Sequence, residues 1–330
     1  MFLKIRTMQR VCALTLAAAL AAAGSASALF GKKQAPAEPE EGAPIARELS
    51  ISTYRGIPYR AQFLATDSEG DDMTYAVAEA PRKGTVTIEG ADFVYTPDDG
   101  VTGGDSFTYT ATDSAGHVSQ PATVTVTIEK TRSGVTYSDT EGSDAAAAAQ
   151  HLAETGVFTG AKIGDQYYFE PEKTVSRGEF LAMALETAGR EVTSVTMTGF
   201  CDDEAIPTWS KAYAAAGVAD GIVQGKTTDQ GVAFQGEEAI TFSEAATILD
   251  RVLDLGDVDL ETWYADREAV PSWAAQAVGN MEAVSVLSAG SFGSDGLEEP
   301  ITRADAAMML SAARTLLDGE KTSGILDWLK

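Results

Sequence analysis

Two arginines in this chain stand where a cation is electrostatically out of place. Arg177 follows Ser176, and Arg303 follows Thr302. In both stretches an acid comes three residues after the hydroxyl: Glu179 after Ser176, and Asp305 after Thr302. A Ser or Thr followed at that distance by an acid, and then by apolar residues, is a capping box. The hydroxyl accepts from an N–H of the first turn, and the acid reaches back to the cap. Thr241 and Glu244 form a third copy, with Phe242 in place of the arginine. Each arginine therefore falls at the first helical position, where the helix dipole is positive and a cation costs a few tenths of a kcal/mol up to ~1. Two readings stay open. Either the arginines are exposed and screened, or an anion or a neighbouring carboxylate sits beside them.

The three boxes lie 65 and 61 residues apart, so one structural unit is repeated. Around each box other landmarks keep their order. An aromatic precedes an Asp by two positions at Tyr137/Asp139, Phe200/Asp202 and Tyr264/Asp266. Seven residues after the Asp stand Trp209 and Trp273, but Ala146 in the first copy. A helix then ends at Gly160, Gly225 and Gly290, glycines suited to a positive φ that also lets backbone approach a ligand. A loop carries Phe169, Phe234 and, in shorter form, Leu297. The capped second helix follows, with an apolar stripe.

The class of the whole chain is bounded by composition. Of 330 residues, 24 are Lys or Arg and 49 are Asp or Glu, a net charge of −25. Lys4, Arg6 and Arg10 precede an apolar run from Val11 to Ala23, and Ala26-Ser27-Ala28 is a small-x-small cleavage site. Residues 1–28 read as a secretory signal peptide. The run is too short for a membrane span, so no integral span is expected in the mature chain. Removing those three cations takes the charge to −28, which argues against nucleic acid as a partner. Cys201 alone remains, so no internal disulfide is expected.

Residues 29–47 are rich in Pro, Ala and Glu and read as an extended linker. From 48 to 130 the period becomes two. Phe93-Val94-Tyr95-Thr96, Ser106-Phe107-Thr108-Tyr109-Thr110 and Thr123-Val124-Thr125-Val126-Thr127-Ile128 alternate between Gly, Pro and Asp clusters. About seven strands are expected, in a small antiparallel sandwich. These strings, and the Asp-rich stretch Asp67-Ser68-Glu69-Gly70-Asp71-Asp72 before Thr74-Tyr75, resemble bacterial Ig-like and cadherin-like surface repeats. Some relatives bind calcium between repeats, which makes Asp67, Glu69 and Asp71 calcium candidates. Their spacing does not fit an EF-hand, and a solvated turn is the competing reading. No other cofactor is expected.

The landmarks from Tyr137 to Leu316 are similar to S-layer homology (SLH) domains, with repeats at 135–190, 198–255 and 262–317 and a tail at 318–330. The resemblance implies an all-α C-terminal pseudo-trimer behind the all-β Ig-like sandwich. It also implies noncovalent binding to a secondary cell-wall polysaccharide, an anionic one bearing pyruvate, in grooves between neighbouring repeats. Carried onto this sequence, the polysaccharide-binding set is Arg177, Arg303, Asp139, Asp202, Asp266, Trp209, Trp273, Gly160, Gly225 and Gly290. The tryptophans could equally pack in a core, and the aspartates could cap a helix or pair with an arginine. Phe242 and Ala146 depart from the pattern. An exported protein of the cell wall or S-layer surface is expected, displaying the sandwich. The alternative is an adhesin or assembly module whose sandwich binds an unknown surface ligand, with the repeats mainly structural.

No enzyme is expected. The sequence has no nucleophile elbow, zinc-helix pair, phosphate loop or dinucleotide fingerprint. His117 and His151 are isolated, and Asp202 and Asp203 beside Cys201 oppose a thiolate nucleophile.

Overall fold

Alternation of apolar and Thr residues decides the first architecture met along the chain. The computed structural model describes residues 42–70, 72–263, 270–287 and 296–323. The signal and most of the linker read from the sequence lie outside these, as do Asp71, Asp266, Gly290 and the last seven residues of the tail. Nine strands come first: β1 (Ile45–Ala46), β2 (Leu49–Tyr54), β3 (Tyr59–Gln62), β4 (Ala65–Thr66), β5 (Thr74–Glu79), β6 (Gly84–Glu89), β7 (Asp92–Pro97), β8 (Gly103–Thr112) and β9 (Ala122–Glu129). One sheet runs β2-β9-β8-β5 and the other β3-β7-β6, with β1 paired to β4 alongside. The residues at 45–46, read as linker, thus join the β region.

Strand β2 lies parallel to β9, with Leu49 opposite Val124; the other pairings in both sheets are antiparallel. Along β9, Ala122, Val124, Val126 and Ile128 point inward, and the residues between them are more exposed. They meet Phe63, Phe93, Tyr95, Phe107 and Tyr109 in one core. Both buried tyrosines find partners, as a buried hydroxyl must. Tyr109 Oη lies 2.6 Å from the Arg47 carbonyl, and Tyr95 donates to Asp105 at 2.8 Å. Asp105 also takes the N–H groups of Arg82 and Lys83. Burial opposes ionisation of this carboxyl, but these donors hold its pKa below the ordinary value. At the Asp-rich turn, Asp67 accepts the Glu69 N–H at 2.8 Å, an Asx turn of the kind a solvated loop makes.

The C-terminal part is not all-α, contrary to expectation. Its elements are α1 (Ala146–Thr155), β10 (Ala161–Ile163), β11 (Gln166–Tyr168), α2 (Arg177–Thr187), α3 (Thr208–Ala219), β12 (Lys226–Thr228), β13 (Gly231–Ala233), α4 (Phe242–Leu253), α5 (Leu260–Trp263), α6 (Ala275–Ala283) and α7 (Arg303–Ser323). Two antiparallel hairpins, β10-β11 and β12-β13, stand where loops were expected. Arms of three residues are too short to show a period, which is why the helical reading passed over them. The turn signal was present, because Gly164-Asp165 joins Ile163 to Gln166 and Gly164 has φ +63°. The chain is therefore a mixed protein, a β-sandwich followed by helices and hairpins.

Three helix starts meet at the centre of this part. The Val175 N–H donates to Ile301 O (3.1 Å), Ile301 to Ile240 O (2.9 Å), and Ile240 back to Val175 O (3.0 Å). The bonds form a closed ring of three. Val175, Ile240 and Ile301 are buried within it. From the ring run α2, α4 and α7, and another helix packs on each of them: α3 on α2, α6 on α4, and α1 on α7. The last helix thus pairs with the first. Phe169, Phe180, Leu181, Phe234, Leu249 and Leu310 fill one continuous core.

Cutting Ile240 back to Ala removes packing at the ring and should cost about 2–5 kcal/mol, read as a lower midpoint in urea unfolding. A second prediction concerns acid. Lys211 lies 2.6 Å from Asp203, and Thr198 donates both its hydroxyl and its N–H at 2.7 Å. Together they lower the Asp203 pKa to about 2. Its contribution is present above the unfolded value of about 4 and is lost as pH falls through about 2. Asp203→Asn should flatten that part of the stability–pH curve, measured by thermal unfolding between those pH values.

Candidate functional site

All three capping boxes close in the structure. Ser176 accepts the Glu179 N–H at 3.2 Å and donates its own N–H to Glu179 at 3.0 Å. Thr241 with Glu244 and Thr302 with Asp305 repeat this. The next amides of each helix are not left for a ligand. The Arg177 N–H donates to Glu238 O, Phe242 to Glu299 O and Arg303 to Lys173 O, each in a different repeat. An anion held on free helix-end N–H groups, which the sequence suggested, is thereby ruled out at these three positions. Neighbouring backbone already satisfies the donors.

The arginine side chains behave alike. Arg177 Nη1 lies 2.9 Å from Glu244, and its Nε donates to Phe234 O at 3.4 Å. Arg303 Nη1 donates to Phe169 O and to Glu170, both at 2.8 Å, with its guanidinium 5.1 Å from the centre of the Phe158 ring. Both side chains are buried. Of the two readings left open, the neighbouring carboxylate is the one observed. At the third copy Phe242 is buried, and Ser243 donates to Leu297 O at 3.0 Å. The carbonyl at this loop position therefore always has a donor, supplied by Arg303, Arg177 or Ser243.

Asp139 and Asp202 serve the same loop. Asp139 accepts the N–H groups of Phe169 (2.8 Å) and Glu170 (2.7 Å), and Asp202 those of Phe234 and Gln235 (both 2.8 Å). Glu170 and Gln235 have φ of +57° and +54°, a strained region for a side chain. Two charge-assisted bonds per carboxylate hold that backbone in place. Gly160 and Gly225 have φ +63° and +76°. A Cβ on Gly225 would come 2.6 Å from the Phe200 ring and 2.7 Å from Ala233 O.

The tryptophans do not enter a core. Trp209 is 50% exposed and Trp273 57%, the outcome that leaves an aromatic face open to a ligand. Trp273 borders a groove of about 360 Å³ lined by Ile222, Gly225, Lys226, Glu244, Thr247, Ile248 and Arg251, with Arg177 reaching in from the first repeat. Three cations and one carboxylate thus face one concave surface on a strongly acidic chain. Lys226 lies 3.0 Å from Glu244, and Arg251 donates to Ile222 O at 2.8 Å. Burial opposes ionisation of Glu244, but Arg177 and Lys226 hold its pKa below the usual carboxylate value. The sequence reading missed Lys226 and Arg251. Arg251 sits seven residues after Glu244 on α4, two turns along the same face, so helical spacing from the box was the available signal.

Other candidates have local explanations. His117 pairs with Asp113 at 2.9 Å. Cys201 is exposed and lies 3.8 Å from the Thr228 hydroxyl. Among the described residues no cluster of His, Cys, Asp and Glu is arranged to hold a metal ion. No helix among them is long and apolar enough to cross a membrane.

Comparison with known proteins covers about a quarter of the chain. Among solved structures, an endo-fucoidan hydrolase of glycoside hydrolase family 107 is similar at 24% identity and a TM-score of 0.23, over 28% of this chain and 14% of its own. The fibronectin(III)-like modules of CbhA from Clostridium thermocellum align at 15% identity and a TM-score of 0.20, over 27% of this chain and 47% of theirs. CopC from Methylosinus trichosporium OB3b aligns at 8% identity and 0.18, over 26% of this chain and 86% of its own. This chain thus spans about one seventh of the hydrolase, and the likenesses carry no argument about activity. No curated protein matches the sequence. Residues 41–128 match the family described as bacterial Ig domain, so this chain carries a bacterial Ig-like domain, of a kind typical of extracellular and surface proteins.

Proposed function

We propose that the helical part anchors an exported chain, without a covalent bond, to an anionic secondary polysaccharide of the cell wall, and that the Ig-like domain is displayed from it. The SLH resemblance of the three repeats supports this reading, and so does the signal-like N-terminal sequence. The observation that carries it is the groove beside Trp273. An exposed indole faces Arg177, Lys226 and Arg251 across one concavity. A sugar ring offers an apolar face to an aromatic side chain, and a pyruvate carboxylate offers a charge to a guanidinium or ammonium.

Charge makes this recognition local. The chain as a whole repels an anionic polymer, but that repulsion is screened beyond about 8 Å at physiological salt. Within the groove the cations outnumber Glu244 three to one. Arg177 and Lys226 both pair with Glu244, but the Arg177 side chain is buried while Lys226 is half-exposed and Arg251 exposed, so Lys226 and Arg251 are the cations best placed to meet the ligand first. The loop clamps at Asp139 and Asp202 position the groove walls and are not ligand contacts in this reading.

Co-sedimentation of the full-length chain with purified cell walls tests the proposal. Binding should be strong with intact walls, disappear once acid extraction removes the secondary polysaccharide, and fall as salt rises. Trp273→Ala should weaken it roughly tenfold or more. Wall binding that survives extraction unchanged would refute a polysaccharide anchor. In a parallel assay, Lys226→Ala should weaken binding and reduce its salt dependence, because one screened charge has been removed. An unaltered salt profile would remove Lys226 from the site.

A further inference from the structure

The repeats are joined cyclically, and that order sorts the site residues. The groove on α4 takes its tryptophan, Trp273, from the segment after it and its arginine, Arg177, from the repeat before it. The same rule at α2 brings Arg303 from the last repeat, bonded to Phe169 and Glu170, and Trp209 from α3, which packs on α2. At α7 the rule brings Phe242 and Ala146. The two departures from the repeat pattern, 96 residues apart in the sequence, belong to the same inter-repeat position.

The helix bearing Ala146 is also the one that carries the β-sandwich. Asp144, two residues before Ala146, lies 2.9 Å from Arg60 Nε on β3. Arg60 also holds Asp92 at 3.0 Å and Glu89. Glu154 on α1 accepts the N–H groups of Arg132 (2.7 Å) and Ser133 (2.9 Å) and the Ser133 hydroxyl (2.7 Å), tying the connector between the two parts to the helix. Ala146 is 7% exposed, against 50% and 57% for the tryptophans at its two equivalents. It lines a cleft between the sandwich and α1, together with Arg55, Pro58, Tyr137 and Gln150.

We infer that the third inter-repeat position is closed to the wall ligand and is instead the seat of the β-sandwich, so that each chain binds two ligands. The count of two rests on the proposed anchoring function; the seat does not. An arginine and a tryptophan are absent there together because the surface has a different occupant, the chain's own Ig-like domain. Held on α1 by Arg60 and Glu154, that domain keeps a fixed direction relative to the other two inter-repeat positions.

Two measurements on the full-length chain test this. Isothermal titration with the methyl glycoside of a hexosamine carrying a pyruvate ketal should give a stoichiometry of two; values of one or three would overturn the inference. The second measurement needs no ligand. An Asp144→Ala/Glu154→Ala double variant should raise amide exchange across 130–136, and speed trypsin cleavage after Lys130 and Arg132, by about tenfold through local opening. Unchanged exchange and cleavage would overturn the seat. If the glycoside does not bind at all, the anchoring function and the count of two fail together, while exchange in the double variant still decides whether the sandwich is seated on α1.

Discussion

Three backbone hydrogen bonds between Val175, Ile240 and Ile301 are the constraint on which the C-terminal half depends. The first amides of an α-helix have no partner within it, and a buried helix start must find acceptors elsewhere. Here the acceptors are the carbonyls of another repeat: Glu238 for Arg177, Glu299 for Phe242 and Lys173 for Arg303. No repeat can bury its own helix start alone, so all three must be present for any to close. The arrangement also places each repeat's arginine position against the loop of the next. Grooves between repeats follow directly from the ring.

The same geometry gathers positive charge on a strongly acidic chain. The chain carries about twice as many acids as bases, yet Arg177, Lys226 and Arg251 converge on one concavity because they come from two repeats that the ring brings together. Glu244 has two jobs there. It closes the capping box of α4 and neutralises Arg177, which would otherwise be a buried cation without a partner. This is why a cation is tolerated at the start of α2. Helix cap, buried ion pair and groove wall are built on one side chain, so a change in any of them reaches the other two.

The β-sandwich is held by a different logic. Its core is one layer of aromatic and branched side chains between two sheets, closed by hydroxyl and carboxylate partners at Tyr95, Tyr109 and Asp105. Its attachment to the helical part is polar, through Arg60 with Asp144 and through Glu154 with the connector. Interfaces of that kind set direction more than stability, because a largely exposed ion pair contributes little energy.

Much of the architecture was legible in the residues. Period-two alternation marked the strands of the sandwich, and Ser176/Glu179, Thr241/Glu244 and Thr302/Asp305 marked three helix starts, because both patterns are local and depend only on neighbours along the chain. Hairpins β10-β11 and β12-β13 were missed, since arms of three residues carry no period and only Gly164-Asp165 signalled a turn. The roles of Asp139 and Asp202 were not legible either. Their partners lie about thirty residues away, and only the folded loop shows that a carboxylate is needed to hold Glu170 and Gln235 at positive φ. By itself, then, the sequence determined the strands of the sandwich, the three capped helix starts and the repeat. Tertiary structure alone decided that Arg177 and Trp273 line one groove and that both arginines have carboxylate partners. Those facts depend on the closure of a ring between segments more than sixty residues apart, and no local preference specifies them.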